Sequence, residues 1–362
     1  MRQLLNKCKK QLTALAVLGA GLLLFRLLRG FTDGVDFFTQ YISGFYKRAM
    51  AFLCSAASFS VMEFILLGFV IFCAWFIVRS VLCIVHAPHR KGIIIAQKLL
   101  GACVIALSVY TGFTILWGAN YYATPFEKKA DLLVQPVSVQ QLTQVTKLFA
   151  DKVNASADAV KRDANGVFDE DLDTVFANSK TLYEPLEAQY PFLYAAPQKA
   201  KKMSLFSWYM SVTNYTGIFF PFTGEANINI KAPACFIPST IAHELAHVRD
   251  IAPEQTANFV AILACEQSGN AAYTYSGVLL AYLHLSNALY TVDRTAWAQI
   301  SQQLSPLAQI DLKENNAYWA RYDTSAAKAA NHVYEGFLQS YDQKLGLKSY
   351  GAVVDLLVSY YA

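Results

Sequence analysis

The sequence predicts a mainly α-helical protein in which N-terminal transmembrane helices precede a mostly helical α+β domain with a small β-sheet edge. Three observations support this prediction. Hydrophobic residues make up 55% of the 362 residues and charged residues only 15%, a balance that is unusual for a water-soluble protein. The longest apolar segments lie within residues 1–122, and apolar residues recur at helical spacing after them. We therefore expect a membrane domain at residues 1–122 and a second domain at residues 123–362.

Three of the apolar segments are long enough to cross a bilayer, whose hydrocarbon core is about 30 Å thick. They lie at about residues 12–28, 61–85 and 99–117. Basic residues cluster before the first segment and between the second and the third. By the positive-inside rule these two regions are cytoplasmic, so we expect a multi-pass protein with a cytoplasmic N-terminus and an extracytoplasmic second domain.

Composition also bears on the partners of the chain. The formal net charge of +4 is modest, and no basic run is interleaved with aromatic residues, so we expect no nucleic-acid partner. The seven cysteines lack C-x-x-C spacing, which argues against a disulfide framework and against a cysteine zinc site. The partner that composition indicates is the lipid bilayer.

Within the second domain, several segments predict secondary structure. Residues 138–153 have the apolar spacing of a helix, and residues 169–187 predict one or two more. Residues 271–290 are apolar enough for a fourth span, but their polar residues favour a buried helix of the second domain. Residues 332–361 predict two helical pieces with a turn at Gly346. Alternating residues after Gly224 predict a short strand.

Within residues 237–265, a segment with Pro238 and Ser239 suited to its first turn predicts a helix that carries His243, Glu244 and His247 in an H-E-x-x-H motif. Residues four apart on a helix point the same way, so both imidazoles can reach one zinc ion. Glu244 lies beside them and can take a proton from water at the metal. This pattern is typical of zinc metallopeptidases of the zincin type. The alternative is a metal-free helix with two histidines in its core.

A catalytic zinc ion needs a third protein ligand and an open position. A short polar connection follows the motif and leads to a second helix, with Glu254 at its start and Asn258 one turn later. The pair is similar to the E-x-x-x-D of thermolysin-like gluzincins. That resemblance implies that Glu254 binds zinc and that Asn258 orients a histidine ligand. Asp250 and Glu266 are the alternative third ligands.

Two further roles follow from the resemblance to gluzincins. A strand before the zinc helix would form the cleft edge and pair with an extended peptide, although an ordinary hairpin is the alternative. The residues of this possible edge strand are Ala226, Asn227, Ile228 and Asn229. A His or Tyr would hydrogen-bond the oxyanion of the tetrahedral intermediate. The candidates, among which the sequence does not select, are His332, Tyr334 and Tyr341.

Four stretches together resemble a bacterial family catalogued as the thirty-eight-ten domain of unknown function. They are W-G-A-N-Y-Y at 117–122, P-F-T-G-E-A-N-I-N at 221–229, H-E-L-A-H with E-Q-T-A-N-F at 243–259, and S-Y-G-A-V-V-D-L-L at 349–357. The resemblance implies a three-span protein of a bacterial cell membrane with an outward-facing H-E-x-x-H domain. The chain departs from the family pattern at Asp250, where glycine is common, and at Thr256, which replaces a frequent acid.

Two functions are compatible with these patterns. The first is a membrane-anchored, gluzincin-like zinc metallopeptidase that binds one Zn²⁺ per chain and hydrolyses peptide bonds of a peptide or protein substrate outside the cytoplasm. The second is a non-catalytic, zinc-stabilised membrane receptor or assembly factor. The two differ in whether Glu244 is needed for function.

Overall fold

The computed structural model describes residues 2–87, 91–343 and 350–362. Within these residues the chain is mainly helical and contains a small three-stranded sheet, so the predicted fold class is confirmed. Residues 88–90 of the basic connection, the turn predicted at Gly346 and the first residue of the stretch at 349–357 lie outside the described residues.

The chain divides into two compact units. Unit 1 comprises Met1–Lys47 and Val61–Ala123, and unit 2 comprises Arg48–Ser60 and Thr124–Ala362. The sequence analysis assigned residues 48–60 to the membrane domain, whereas the structure groups them with unit 2. The partners of this segment, Lys201 and Asn227, lie about 150 residues further along the chain, so local sequence patterns do not show that they meet.

Unit 1 contains three helices that are long and apolar enough to cross a membrane: Asn6–Leu28 within α1 (Arg2–Leu28), Val61–Val85 (α4) and Lys91–Leu116 (α5). Their number agrees with the three predicted spans. The first and third begin earlier than predicted because the helices continue through basic residues such as Lys7 and Lys98. The shorter elements Thr32–Phe37 (α2), a π-helix at Phe38–Ser43 and Gly44–Ser55 (α3) follow α1.

The first part of unit 2 is helical. Its elements are Phe126–Lys129 (α6), Val139–Ser156 (α7), Leu172–Asn178 (α8) and Glu184–Gln189 (α9). Helix α7 covers the segment that was predicted as a helix from its spacing. It begins where Ser138 and Gln141 form a capping box, in which each side chain satisfies a backbone N–H that the helix leaves free.

The sheet consists of Lys201–Met203 (β1), Gly217–Phe220 (β2) and Glu225–Asn229 (β3), in the order β1-β3-β2. A short helix, Ser207–Val212 (α10), follows β1. Strand β3 pairs in parallel with β1 and antiparallel with β2. The prediction that residues 226–229 form a free edge is therefore wrong, because hydrogen bonds occupy both sides of this strand. The edges of the sheet are β1 and β2.

The remaining helices of unit 2 follow the sheet in the chain. They are Ile237–Val248 (α11), Glu254–Gln267 (α12), Ala271–Val292 (α13), Arg294–Gln302 (α14), Pro306–Ala320 (α15), Ser325–Ser340 (α16) and Tyr350–Tyr361 (α17). Helices α12 and α13 are buried along most of their length. The apolar segment 271–290 is thus a buried helix of unit 2, as predicted, and its apolar side chains face protein neighbours.

A buried carboxylate joins three parts of unit 2. Asp311 on α15 is fully buried and accepts hydrogen bonds from Arg162 Nη1 at 2.6 Å, from the hydroxyl of Tyr275 at 2.5 Å and from the backbone N–H of Phe168 at 2.9 Å. The guanidinium of Arg162 also lies over the Tyr275 ring, 4.9 Å from its centroid. Because each charged atom has a partner, the ion pair is tolerated in the interior.

We predict that Asp311→Asn destabilises unit 2 by about 3–5 kcal/mol, because it leaves the buried charge of Arg162 without a counter-charge. Thermal and urea unfolding of the full chain in detergent would measure the loss. Asp323→Asn is the matched control, because its pair with Lys328 is exposed on both sides. Equal stability of the two variants would contradict the role assigned to Asp311.

Candidate metal centre

Helix α11 places the H-E-x-x-H residues by burying its opposite face. Pro238 lies in its first turn, where a missing N–H costs no hydrogen bond. Ile241 and Leu245 are almost completely buried in the core of unit 2. Burial of each such side chain contributes about 1.5–3 kcal/mol, which fixes the rotation of the helix about its axis. His243 and His247 therefore lie together on the other side, with ring centroids 4.7 Å apart.

Glu254, the first residue of α12, meets both histidines. Its Oε2 lies 3.1 Å from Nε2 of His243, and its Oε1 lies 3.7 Å from Nε2 of His247. The three potential ligand atoms lie within 4.8 Å of one another. Tetrahedral zinc with ligand bonds of about 2.1 Å separates its ligand atoms by about 3.4 Å. The three predicted ligands therefore fit one zinc ion after small side-chain adjustments.

Both imidazoles are oriented through their other ring nitrogen. Nδ1 of His243 lies 2.9 Å from Oδ1 of Asn258, and Nδ1 of His247 lies 2.6 Å from the backbone oxygen of Ile251. Each Nδ1–H therefore has an acceptor, and Nε2 is the nitrogen that remains for a metal. The structure places Asn258 beside His243, where the comparison with the gluzincin pattern predicted a supporting residue.

The charge of Glu254 is strongly favoured in this setting. Burial alone would raise the pKa of its carboxyl group, but the attraction of His247 and hydrogen bonds with both histidines hold the pKa well below its ordinary value. The hydroxyl of Tyr334 also donates a hydrogen bond to Oε1 of Glu254. The carboxylate is thus ionised and held in place, as a metal ligand needs to be.

A tight connection sets the angle between α11 and α12. Arg249 donates hydrogen bonds to Glu187 at 2.7 and 3.0 Å and to the backbone oxygen of Leu245 at 3.0 Å. Its guanidinium lies 3.9 Å from the ring centroid of Tyr183. Asp250 then adopts a left-handed conformation with φ of 66°, which turns the chain towards α12. These contacts bring Glu254 back to the histidines.

The structure separates the alternative third ligands from the histidine pair. Glu266 lies near the other end of α12, where it contacts Lys152 and the hydroxyl of Tyr361. Asp250 lies in the left-handed turn that follows α11. Among the described residues, the potential ligand group is formed by His243, His247 and Glu254.

Glu244 is buried beside this group. Its carboxyl group accepts a hydrogen bond from the backbone N–H of Phe219, and burial is the main cause that raises its pKa to about 8. Its Oε2 is buried and has no hydrogen-bond partner among the described residues. An unpaired buried carboxylate oxygen is rare in proteins and is common where a ligand or water binds. The group is therefore available to exchange a proton.

Strand β2 approaches Glu244 so closely that only glycine fits at one position. A Cβ atom at Gly217 would lie 2.5 Å from Oε1 and 2.7 Å from Cγ of Glu244. The H-E-x-x-H motif alone does not reveal this contact. The signal in the sequence is the glycine at the start of an apolar strand, because a glycine there allows a close approach of the backbone.

Of the three residues predicted to contact an oxyanion, the structure brings Tyr334 to the site through its hydrogen bond to Glu254. His332 lies exposed on the same helix, and Tyr341 is buried at its end against Phe337. The sequence analysis missed Tyr215, whose ring packs edge-on against Tyr334 at 5.7 Å. Burial, and secondly the charge of Glu254, raise the pKa of Tyr215.

Comparison with known proteins places the chain in a family context. The family model described as "Protein of unknown function (DUF3810)" matches residues 38–358, which is most of the chain. No curated protein and no solved structure matches it.

We predict that Gly217→Ala displaces the Glu244 carboxylate and destabilises unit 2 by about 1–3 kcal/mol, because the added methyl group overlaps atoms in a packed interior. Thermal unfolding would measure the effect. Gly336→Ala is the control, since a Cβ there meets no atom within 4 Å and alanine favours a helix. A Gly217→Ala protein as stable as the control would contradict the close approach.

Proposed function

The chain belongs to the DUF3810 family, and we propose that it is a membrane-anchored, gluzincin-like zinc metallopeptidase that hydrolyses peptide bonds outside the cytoplasm. One observation carries the proposal. Two imidazoles with occupied Nδ1 atoms converge with an ionised carboxylate, while a second carboxylate, of which one oxygen has no partner among the described residues, is buried next to them. The first group has the composition of a zinc site, and the second has the position of a general base.

The residues present fit a zinc ion better than they fit a metal-free core. Without a metal, the Nε2 atoms of both histidines face one shared carboxylate, at 3.1 and 3.7 Å. A divalent cation bound by the two imidazoles and the carboxylate would satisfy all three groups at once. His243, His247 and Glu254 would hold one Zn²⁺ per chain, with Asn258 and Ile251 fixing the histidine rings.

Each residue then has a defined task. A bound zinc ion would act as a Lewis acid that polarises the scissile carbonyl and lowers the pKa of water. Glu244 takes a proton from the attacking water and delivers it to the leaving amine, for which a raised pKa suits its carboxyl group. Tyr334 is the candidate donor to the oxyanion, for which its hydroxyl would turn away from Glu254, and Tyr215 packs beside it.

Strand β2 replaces residues 226–229 as the candidate to pair with an extended substrate. It is an edge strand of the sheet, and Gly217 and Phe219 lie against Glu244. A peptide that paired with β2 by strand addition would pass close to Glu244, the proposed general base. Peptide or protein segments in extended conformation are therefore the substrate class that we propose.

Chain connectivity supports an extracytoplasmic location for unit 2. Residues 48–60 lie between the first and second apolar helices, yet they belong to the same compact unit as residues 124–362. Both stretches must therefore be on one side of the membrane. Because the basic N-terminus is cytoplasmic by the positive-inside rule, that side is the outside.

We predict that the purified full chain contains about one zinc ion. Glu254→Ala should weaken or abolish zinc binding, because it reduces the three protein ligands to two. Elemental analysis of protein prepared in detergent without chelators would measure the content. Glu266→Ala is the matched control on the same helix and should keep the metal. Zinc retained in both variants would move the third ligand elsewhere, and zinc absent from wild type would refute the proposed site.

We predict that Glu244→Gln keeps zinc but loses peptide cleavage by about a hundredfold or more, because the amide cannot accept the proton from water. A library of fluorescence-quenched peptides would first identify a substrate for the wild type, and the variant would then be assayed on it. Full activity in the variant would refute this mechanism. If the variant instead fully supports the cellular role of the protein, the zinc-stabilised receptor or assembly factor is the better description.

A further inference from the structure

Unit 2 exposes large apolar side chains on two of its segments. The first segment contributes residues just before the second apolar helix, and the second contributes residues after strand β1. They are Phe52, Leu53, Phe59, Leu205, Trp208 and Tyr209, each more than half exposed. We call this set the aromatic face. Single apolar residues at a protein surface are ordinary, whereas several large ones on two segments joined by hydrogen bonds are a candidate interaction site.

The two segments are tied together by buried polar contacts. The ammonium group of Lys201 on β1 donates hydrogen bonds to the backbone oxygens of Cys54, at 3.2 Å, and Ala57. The hydroxyl of Ser60 donates to Oδ1 of Asn227 on β3 at 2.7 Å. All five residues are buried or partly buried, so the segment 48–60 is an integral part of the sheet region and not a loose connection.

Helix α10 presents two aromatic residues outward. Ser207, Met210 and Ser211 are buried, whereas Trp208 and Tyr209 are exposed. The buried serines hold the helix to its surroundings: Ser207 accepts a hydrogen bond from the backbone N–H of Ile230 at 3.0 Å, and Ser211 accepts one from Nδ2 of Asn229 at 2.9 Å. The exposed aromatic residues are therefore held in place on an ordered helix.

Chain continuity identifies what meets this face. Phe59 lies two residues before Val61, the first residue of an apolar helix long enough to span a membrane. Two residues of extended chain reach no more than about 7 Å, so Phe59 must lie at the membrane boundary. Because residues 48–60 are fastened to β1 and β3, the region of unit 2 that follows β1 is brought to the same boundary.

We propose that the aromatic face docks unit 2 onto the lipid bilayer, with Trp208 and Tyr209 at the level of the headgroups. Tryptophan and tyrosine favour this level because one end of each ring is apolar and the other forms hydrogen bonds. The contact goes beyond anchoring by the apolar helices. It gives unit 2 a second attachment to the membrane surface, in addition to its covalent link to the second apolar helix.

The test uses the intrinsic fluorescence of Trp208. The full chain is reconstituted in nanodiscs whose lipids carry bromine near the headgroup or deep in the acyl chain, and wild type is compared with Trp208→Phe. The chain has five tryptophans, and the difference between the two proteins isolates the emission of Trp208. Trp297→Phe is the control, since this half-buried tryptophan of unit 2 donates to Ser286 and lies outside the aromatic face.

We expect shallow bromine to remove most of the Trp208 emission, deep bromine to remove less, and aqueous iodide to have little effect. The Trp297 emission should not respond to either brominated lipid. Quenching of Trp208 by iodide together with no response to brominated lipid would show that the aromatic face is open to water and would overturn the proposal. Neither result depends on zinc or on peptide cleavage, so the measurement is independent of the proposed function.

Discussion

The carboxylate of Glu254 holds the centre of unit 2 together, because it is shared by two histidines on the neighbouring helix. Three polar groups in a mostly apolar interior are stable only when their charges and hydrogen bonds balance. Arg249, Tyr183 and Glu187 supply the geometry by fixing the turn between α11 and α12. Asn258 and the backbone of Ile251 supply the ring orientation. The surrounding helices thus serve to present two imidazoles and one carboxylate to a common point.

The second carboxylate, Glu244, is placed by a different element. Strand β2 packs directly against Glu244, because Gly217 has no side chain. The backbone N–H of Phe219 donates a hydrogen bond to the Glu244 carboxylate. The central strand β3 keeps β2 in position, and the contact of Asn227 with Ser60 extends this support to the segment before the second apolar helix. The position of Glu244 therefore depends on residues far from the H-E-x-x-H motif.

Local patterns predicted most of this arrangement. The i, i+4 spacing of His243 and His247 is a property of one helix, and Glu254 and Asn258 follow from where the next helix begins. Strand order could not be predicted in the same way. Strand β1 has only three residues, so its sequence gives no alternation that would reveal a partner for β3. Tyr215 was missed because a loop, rather than a periodic element, brings it to Tyr334. The contacts of residues 48–60 with Lys201 and Asn227 were not predicted for a similar reason, since these partners are distant in sequence.

The division of unit 2 into two stretches has a consequence for biosynthesis. Residues 48–60 leave the ribosome before the second and third apolar helices, whereas their partners Lys201 and Asn227 follow afterwards. Unit 2 can complete its fold only after both apolar helices have been synthesised. Two membrane crossings by these helices return the chain to the side on which residues 48–60 lie, whereas a single crossing would leave Ser60 and Asn227 on opposite sides. Folding of unit 2 is thereby linked to the way in which these two helices integrate into a membrane.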